Sequence, residues 1–141
     1  CDKSLLFYVE KVAFCATLNE NGPYGPFPQS KDVPFNKVYT NIGNCYNCST
    51  GVFTAPVEGV YYFSFFYHAG GKTPSGMQLV KNGQMIVQSG DHGSKCDTAY
   101  NGGNAAVLQL KKHDRVCVQL LANHHVWGGG DSTTFNGFLL S

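Results

Sequence analysis

Between Val60 and Tyr67, six of eight residues are aromatic, and any fold open to this chain has to cover those rings. Side chains alternate along a strand, so Tyr61, Phe63, Phe65 and Tyr67 fall on one face and Val60, Tyr62, Ser64 and Phe66 on the other. Both faces are largely apolar, whereas a strand with one wet face reads apolar then polar. We therefore expect one face to lie in the chain's own core. The other, carrying Tyr62 and Phe66, should be covered by another subunit or by a loop of the same chain.

The flanking sequence is built from short β segments. Val12, Phe14, Ala16 and Leu18 alternate on one face of a half-buried strand, with Cys15 on the other. The stretch from Asn19 to Pro34 holds four prolines and two glycines and reads as a long connection of turns with a short edge strand at best. Strands are predicted over Phe35–Ile42, over Val52–Ala55 and, around the Asn82-Gly83 hairpin signal, over Met77–Val80 and Met85–Val87. Ala105–Leu110, Val116–Leu121 and Phe135–Leu140 complete the set. Ser89 to Gly103 and Asn123 to Thr133 are predicted to be loops because glycine and polar residues dominate them. No window carries an apolar stripe at helical spacing, so about ten short strands and an all-β sandwich of jelly-roll type are expected.

At 141 residues the chain fits one domain. We divide it into an N-terminal segment, 1–9, and a globular domain, 10–141. Charged residues make up 13 % and the formal net charge is +1, which leaves no electrostatic footprint for nucleic acid. The charge-free run around the aromatic strand, Gly59 to Gly71, is shorter than the roughly 20 residues of a membrane span.

Six cysteines, Cys1, Cys15, Cys45, Cys48, Cys96 and Cys117, form an even set in a small loop-rich chain, which favours secretion and disulfides of unspecified pairing. Cys45 and Cys48 have redox-like spacing, but a redox pair needs a helix N-terminus and a zinc site a second close pair. A structural disulfide is the expectation. Asn47-Cys48-Ser49 is an N-glycosylation pattern, which a disulfide at Cys48 would argue against.

One spacing is far more specific than these. Phe35, five residues, Asn41, four residues, Tyr46, six residues, Phe53, five residues, then Gly59-x-Tyr61-x-Phe63-x-Phe65 resembles the signature of the C1q globular domain at every anchor. Val12-Ala13-Phe14-x-Ala16, Lys81-Asn82-Gly83 and Ser132 to Leu140 resemble its opening strand, central hairpin and closing strand. The resemblance implies a ten-stranded jelly roll that assembles as a homotrimer or heterotrimer through one sheet, with Tyr62 and Phe66 in the interface. It also implies calcium in several relatives, for which Asp91, Asp97 and Asp131 are candidate ligands here, although they meet no spacing rule. No collagen-like Gly-X-Y period is present.

Enzyme motifs are missing: there is no Gly-x-Ser-x-Gly elbow, no metalloprotease histidine pair and no phosphate loop. A binding module is expected, with its ligand surface in the loops. Asn123, His124, His125 and Trp127 form the candidate site, because the single tryptophan beside two histidines can stack on a sugar ring. The same residues can instead pack down as a loop anchor. The expected function is a secreted, non-enzymatic recognition protein binding glycans or other surface patterns in innate immunity. The alternatives are a signalling or adhesion ligand for a protein receptor, similar to cerebellin-type and adiponectin-type relatives, and an extracellular matrix component.

Overall fold

The structure is a computed structural model that describes residues 10–93 and 99–141. Cys1, Cys96, Asp97 and the N-terminal segment 1–9 lie outside the described residues. In chain order the strands are β1 (Ala13–Thr17), β2 (Gly22–Tyr24), β3 (Lys31–Asp32), β4 (Lys37–Ile42), β5 (Tyr46–Asn47), β6 (Val52–Thr54) and β7 (Gly59–Gly70). They continue as β8 (Ser75–Lys81), β9 (Gln84–Asp91), β10 (Ala99–Leu110), β11 (Arg115–Leu120), β12 (Val126–Gly128) and β13 (Thr134–Leu139).

The aromatic stretch becomes the long central strand β7. One edge pairs with β10 along its whole length, while the other pairs first with β13 and then, at His68, with β12. Beyond β13 come β1 and the free edge β4, and β2 lies outside β12. The second sheet runs β5-β6-β11-β8-β9, with β3 on β11 beyond β6. Every pairing within the two sheets is antiparallel. The expected all-β sandwich is the one observed.

The core between the sheets follows the alternation read from the sequence. Tyr61, Phe63 and Phe65 are 0 % exposed, and Val12, Phe14, Ala16 and Leu18 are buried beside them. From the facing sheet come Phe53, Met77, Leu79, Val116, Val118 and Leu120. Phe14 is a hub: its ring stacks on Tyr46 at 4.9 Å and meets Phe135 edge-on at 4.8 Å, the geometries in which aromatic quadrupoles attract.

The polar and glycine anchors of the spacing have equally local causes. Asn41 closes the turn through Gly43-Asn44 by donating from Nδ2 to the Tyr46 carbonyl (2.8 Å) and accepting the Tyr46 N–H at Oδ1 (3.1 Å). That delivers Tyr46 to the core, where its hydroxyl donates to the Phe35 carbonyl at 2.8 Å. Burial pushes the Tyr46 hydroxyl pKa well above the tyrosine range, so it stays a donor. At Gly59 a Cβ would lie 2.7 Å from the Ser141 carbonyl oxygen and 2.8 Å from Leu139 Cδ1; only glycine lets the last strand pass so close.

Two regions differ from expectation. The stretch 89–103 is not one loop: β9 runs to Asp91 and β10 starts at Ala99. Its glycines sit in a strand because the rings of β7 occupy their side-chain space, a Cβ at Gly102 falling 2.5 Å from Tyr67 Cζ and one at Gly103 2.4 Å from Phe66 Cδ1. Likewise 123–133 contains β12, a short strand laid against the end of β7.

Candidate recognition surfaces

The first surface is the outer face of the sheet built on β7. Register brings Ile42, Ala13, Phe138, Tyr62 and Val107 into one line across β4, β1, β13, β7 and β10. Tyr62 and Phe138 are in ring contact at 5.2 Å, and Val107 is 59 % exposed. The next line, Thr40, Cys15, Asn136, Ser64 and Ala105, is small or polar. Beyond it Phe66 is 50 % exposed. Isolated exposed apolar residues are ordinary, but a contiguous in-register patch marks an interaction surface. Among the described residues no loop buries Phe66.

The second surface is at the end of the sandwich, where β12 meets β7. Buried Thr133 splices the two strands: its hydroxyl accepts the His68 N–H at 3.2 Å and donates to the Trp127 carbonyl. His125 is buried and committed. Its Nδ1 donates to the Pro74 carbonyl (3.0 Å) and its Nε2 accepts the Gly70 N–H (3.1 Å), which specifies the Nδ1–H tautomer and leaves no ring nitrogen for a ligand. His124 Nδ1 donates to the Ala122 carbonyl at 2.7 Å. Asn123 is an exposed turn residue at φ 62°, and its N–H is taken by the Phe27 carbonyl.

Trp127 is different. It is 38 % exposed, meets the His68 ring edge-on at 5.8 Å and lies over Gly70, where an added Cβ would come within 3.2 Å of its Nε1. It forms one wall of a cavity of about 410 Å³, with Pro23 and Pro26 from the 19–34 connection, Lys72 and Thr73 from the β7–β8 turn, and His125 behind. Of the four candidate residues, then, Trp127 and His125 line the cavity, His125 as a strut, while Asn123 and His124 lie outside its lining. Pro23, Pro26, Lys72, Thr73 and Thr133 went unrecognised in the sequence, where long intervening segments separate each part of the wall from the next and no local pattern links them.

Of the candidate calcium ligands, Asp91 and Asp131 are described, and each has other partners. Asp131 accepts from Tyr39 (2.7 Å) and Thr17 (3.1 Å) and pairs with Lys37 at 3.1 Å. The Tyr39 hydroxyl and then the Lys37 ammonium hold its carboxyl below the usual aspartate range. Asp91 ends β9 opposite Ser75, and its Oδ1 accepts the His92 N–H at 2.8 Å. Among the described residues no three His, Cys, Asp or Glu side chains converge.

The four described cysteines depart from expectation. Cys15, Cys45, Cys48 and Cys117 are free thiols. Cys45 and Cys48 flank the extended pair Tyr46–Asn47, and three steps of about 3.3 Å hold their Cα atoms roughly 10 Å apart, beyond disulfide reach. Burial, with the Asp32 carboxylate 3.5 Å from Sγ, pushes the Cys117 thiol up to about 12. With Cys48 unbridged, the exposed Asn47 sits in a turn where its Oδ1 accepts the Ser49 N–H at 2.9 Å.

Comparison with known proteins is decisive at the level of family, since the C1q domain family model matches residues 13–140. The chain belongs to the C1q domain family. Its C1q domain is 34 % identical over 136 residues to mouse "Complement C1q and tumor necrosis factor-related protein 9", covering 94 % of this chain and 39 % of that protein. The human relative "Complement C1q and tumor necrosis factor-related protein 9A" is 37 % identical over 120 residues, covering 81 % of this chain and 35 % of that protein. The chain thus spans less than half the length of these relatives. Among solved structures, the globular domain of zebrafish complement 1qA matches with a TM-score of 0.75 at 26 % identity, covering 93 % of this chain and 98 % of that one. The Eiger TNF of S. frugiperda matches at 0.69 and 18 %, covering 94 % of each, a likeness of fold.

Proposed function

We propose that this C1q domain is a secreted, non-catalytic recognition module that trimerises through the outer face of the β7 sheet and binds glycans or similar repeated surface patterns in innate immunity. The observation that carries this reading is Trp127, partly exposed on the wall of a mainly apolar cavity at the sandwich end. An indole and two proline rings suit the apolar face of a sugar ring, and trimeric display multiplies a weak single-site affinity. His125 supports it by fixing the cavity floor without competing for ligand.

A glycan array read with Trp127→Ala beside the unaltered protein tests the site. The variant should lose most glycan binding while keeping its fold. Full retention would discard Trp127 as a contact. The second reading is a ligand for a protein receptor, favoured by the wide outer face and by similarity to a protein named for tumor necrosis factor. It requires a saturable protein partner whose binding millimolar free sugar leaves unchanged. We further propose that Asn47 carries an N-glycan, which a mass loss on amidase treatment, absent in Ser49→Ala, would establish. Calcium enters only if excess calcium raises the melting temperature over chelator, because a bound ion stabilises the folded state.

A further inference from the structure

Resting on that reading of the Trp127 cavity, we infer that its ligand is an anionic sugar ring: a pyranose whose carboxylate is held by Lys72. The unspent hydrogen-bonding groups of the wall point that way. The Trp127 Nε1–H, the Lys72 ammonium and the Thr73 hydroxyl have no partner among the described residues, whereas both His125 nitrogens are used. Indole and ammonium only donate, and the hydroxyl alone does both. No carboxylate and no side-chain amide lines the cavity. Glu20, on the neighbouring segment, is not part of the lining, and its backbone and Cβ pass beside Gly128 and Gly129.

A neutral sugar presents hydroxyl protons that need acceptors, and among the side chains of this wall only the Thr73 hydroxyl can accept. A carboxylate only accepts, so it matches the side-chain donors that the wall has left. The remaining lining, Pro23, Pro26, Gly70 and the indole, faces the apolar side of a ring. The cavity of about 410 Å³ is near the lower end of the roughly 300–1,000 Å³ seen for ligand sites, which suits one terminal ring. Lys72 is exposed and in no ion pair among the described residues, so binding need not break an existing one.

The test is calorimetric titration of the intact chain with uronic acids and their neutral parents, glucuronate against glucose and galacturonate against galactose, which differ only at C6. At least one acid should bind about tenfold more tightly than its parent. Lys72→Gln should abolish that preference, Lys72→Arg should retain much of it, and Trp127→Ala should weaken acid and neutral sugar alike, with far-UV circular dichroism unchanged throughout. Equal affinities within both pairs, or a preference that survives Lys72→Gln, would overturn the inference and leave the sugar reading standing. Folded protein that binds none of the four sugars would overturn both. Displacement of uronate by oligoglutamate at equal carboxylate concentration would overturn it in favour of an acidic protein segment.

Discussion

The two faces of β7 carry nearly the same chemistry and have different fates. Tyr61, Phe63 and Phe65 point inward and are 0 % exposed, while the next residue along the same backbone, Phe66, remains 50 % exposed. Aromatic content therefore does not separate a residue that fills the core from one left at the surface. The number of layers behind it does. The inward rings meet a second sheet of the same chain, whereas the Phe66 ring meets no second layer among the described residues.

The sharpest way to break this contrast is to charge the outer face. Phe66→Asp with Phe138→Asp should abolish trimers, with light scattering giving the mass of one chain while the β-sheet circular dichroism persists. A trimer that survives would remove this face from the assembly. On the inner face, Phe63→Ala should cost about 3–5 kcal/mol in chemical denaturation, by lost burial and an unfilled cavity. A loss below about 1 kcal/mol would mean that the ring is not a keystone.

The contrast can be sharpened at its polar members. Asn41→Ala leaves the Tyr46 N–H and carbonyl unpaired at a partly buried turn and should cost about 1–3 kcal/mol, with trimer mass unchanged at low denaturant. The smallest effect is expected at Asp131 on the rim of the outer face. Its folded pKa is lowered, first by Tyr39 and then by Lys37, so the stabilisation is present above the unfolded value of about 3.9 and is lost as pH falls through the folded value. Asp131→Asn should therefore melt slightly below the unaltered protein at about pH 6 and together with it near about pH 2. A difference that persists at low pH would exclude the ionised carboxylate as its source.

Much of the sandwich was legible because its signals are local. The alternation of Val12, Phe14, Ala16 and Leu18 became their burial, and Asn82-Gly83, both at positive φ, became the predicted hairpin turn. The eight-anchor spacing was legible as a family, and the structure shows its physics in the Asn41 clamp and the Gly59 crossing. What stayed hidden depends on distant partners. Gly102 and Gly103 read as loop because nothing nearby shows that the rings of Tyr67 and Phe66 fill the space above them. β12 stayed hidden because its partners, His68 on one side and residues 22–24 on the other, are remote in sequence. The candidate site was half legible for the same reason: of the four residues named, Trp127 and His125 line the cavity, but the prolines and Lys72 that complete its wall belong to other segments. Cysteine counting gave an even number, and the extended backbone at Tyr46–Asn47 holds the nearest pair apart.

The packing of Phe66 over Gly103 also bears on how such domains diversify. A residue larger than glycine at position 103 meets both the Phe66 ring and the Phe65 carbonyl oxygen at once, so glycine should persist at position 103 whatever ring stands at position 66. Ile42 and Val107 are more open on the same face, at 50 % and 59 % exposed. New assembly preferences among descendants of this chain should be written there first.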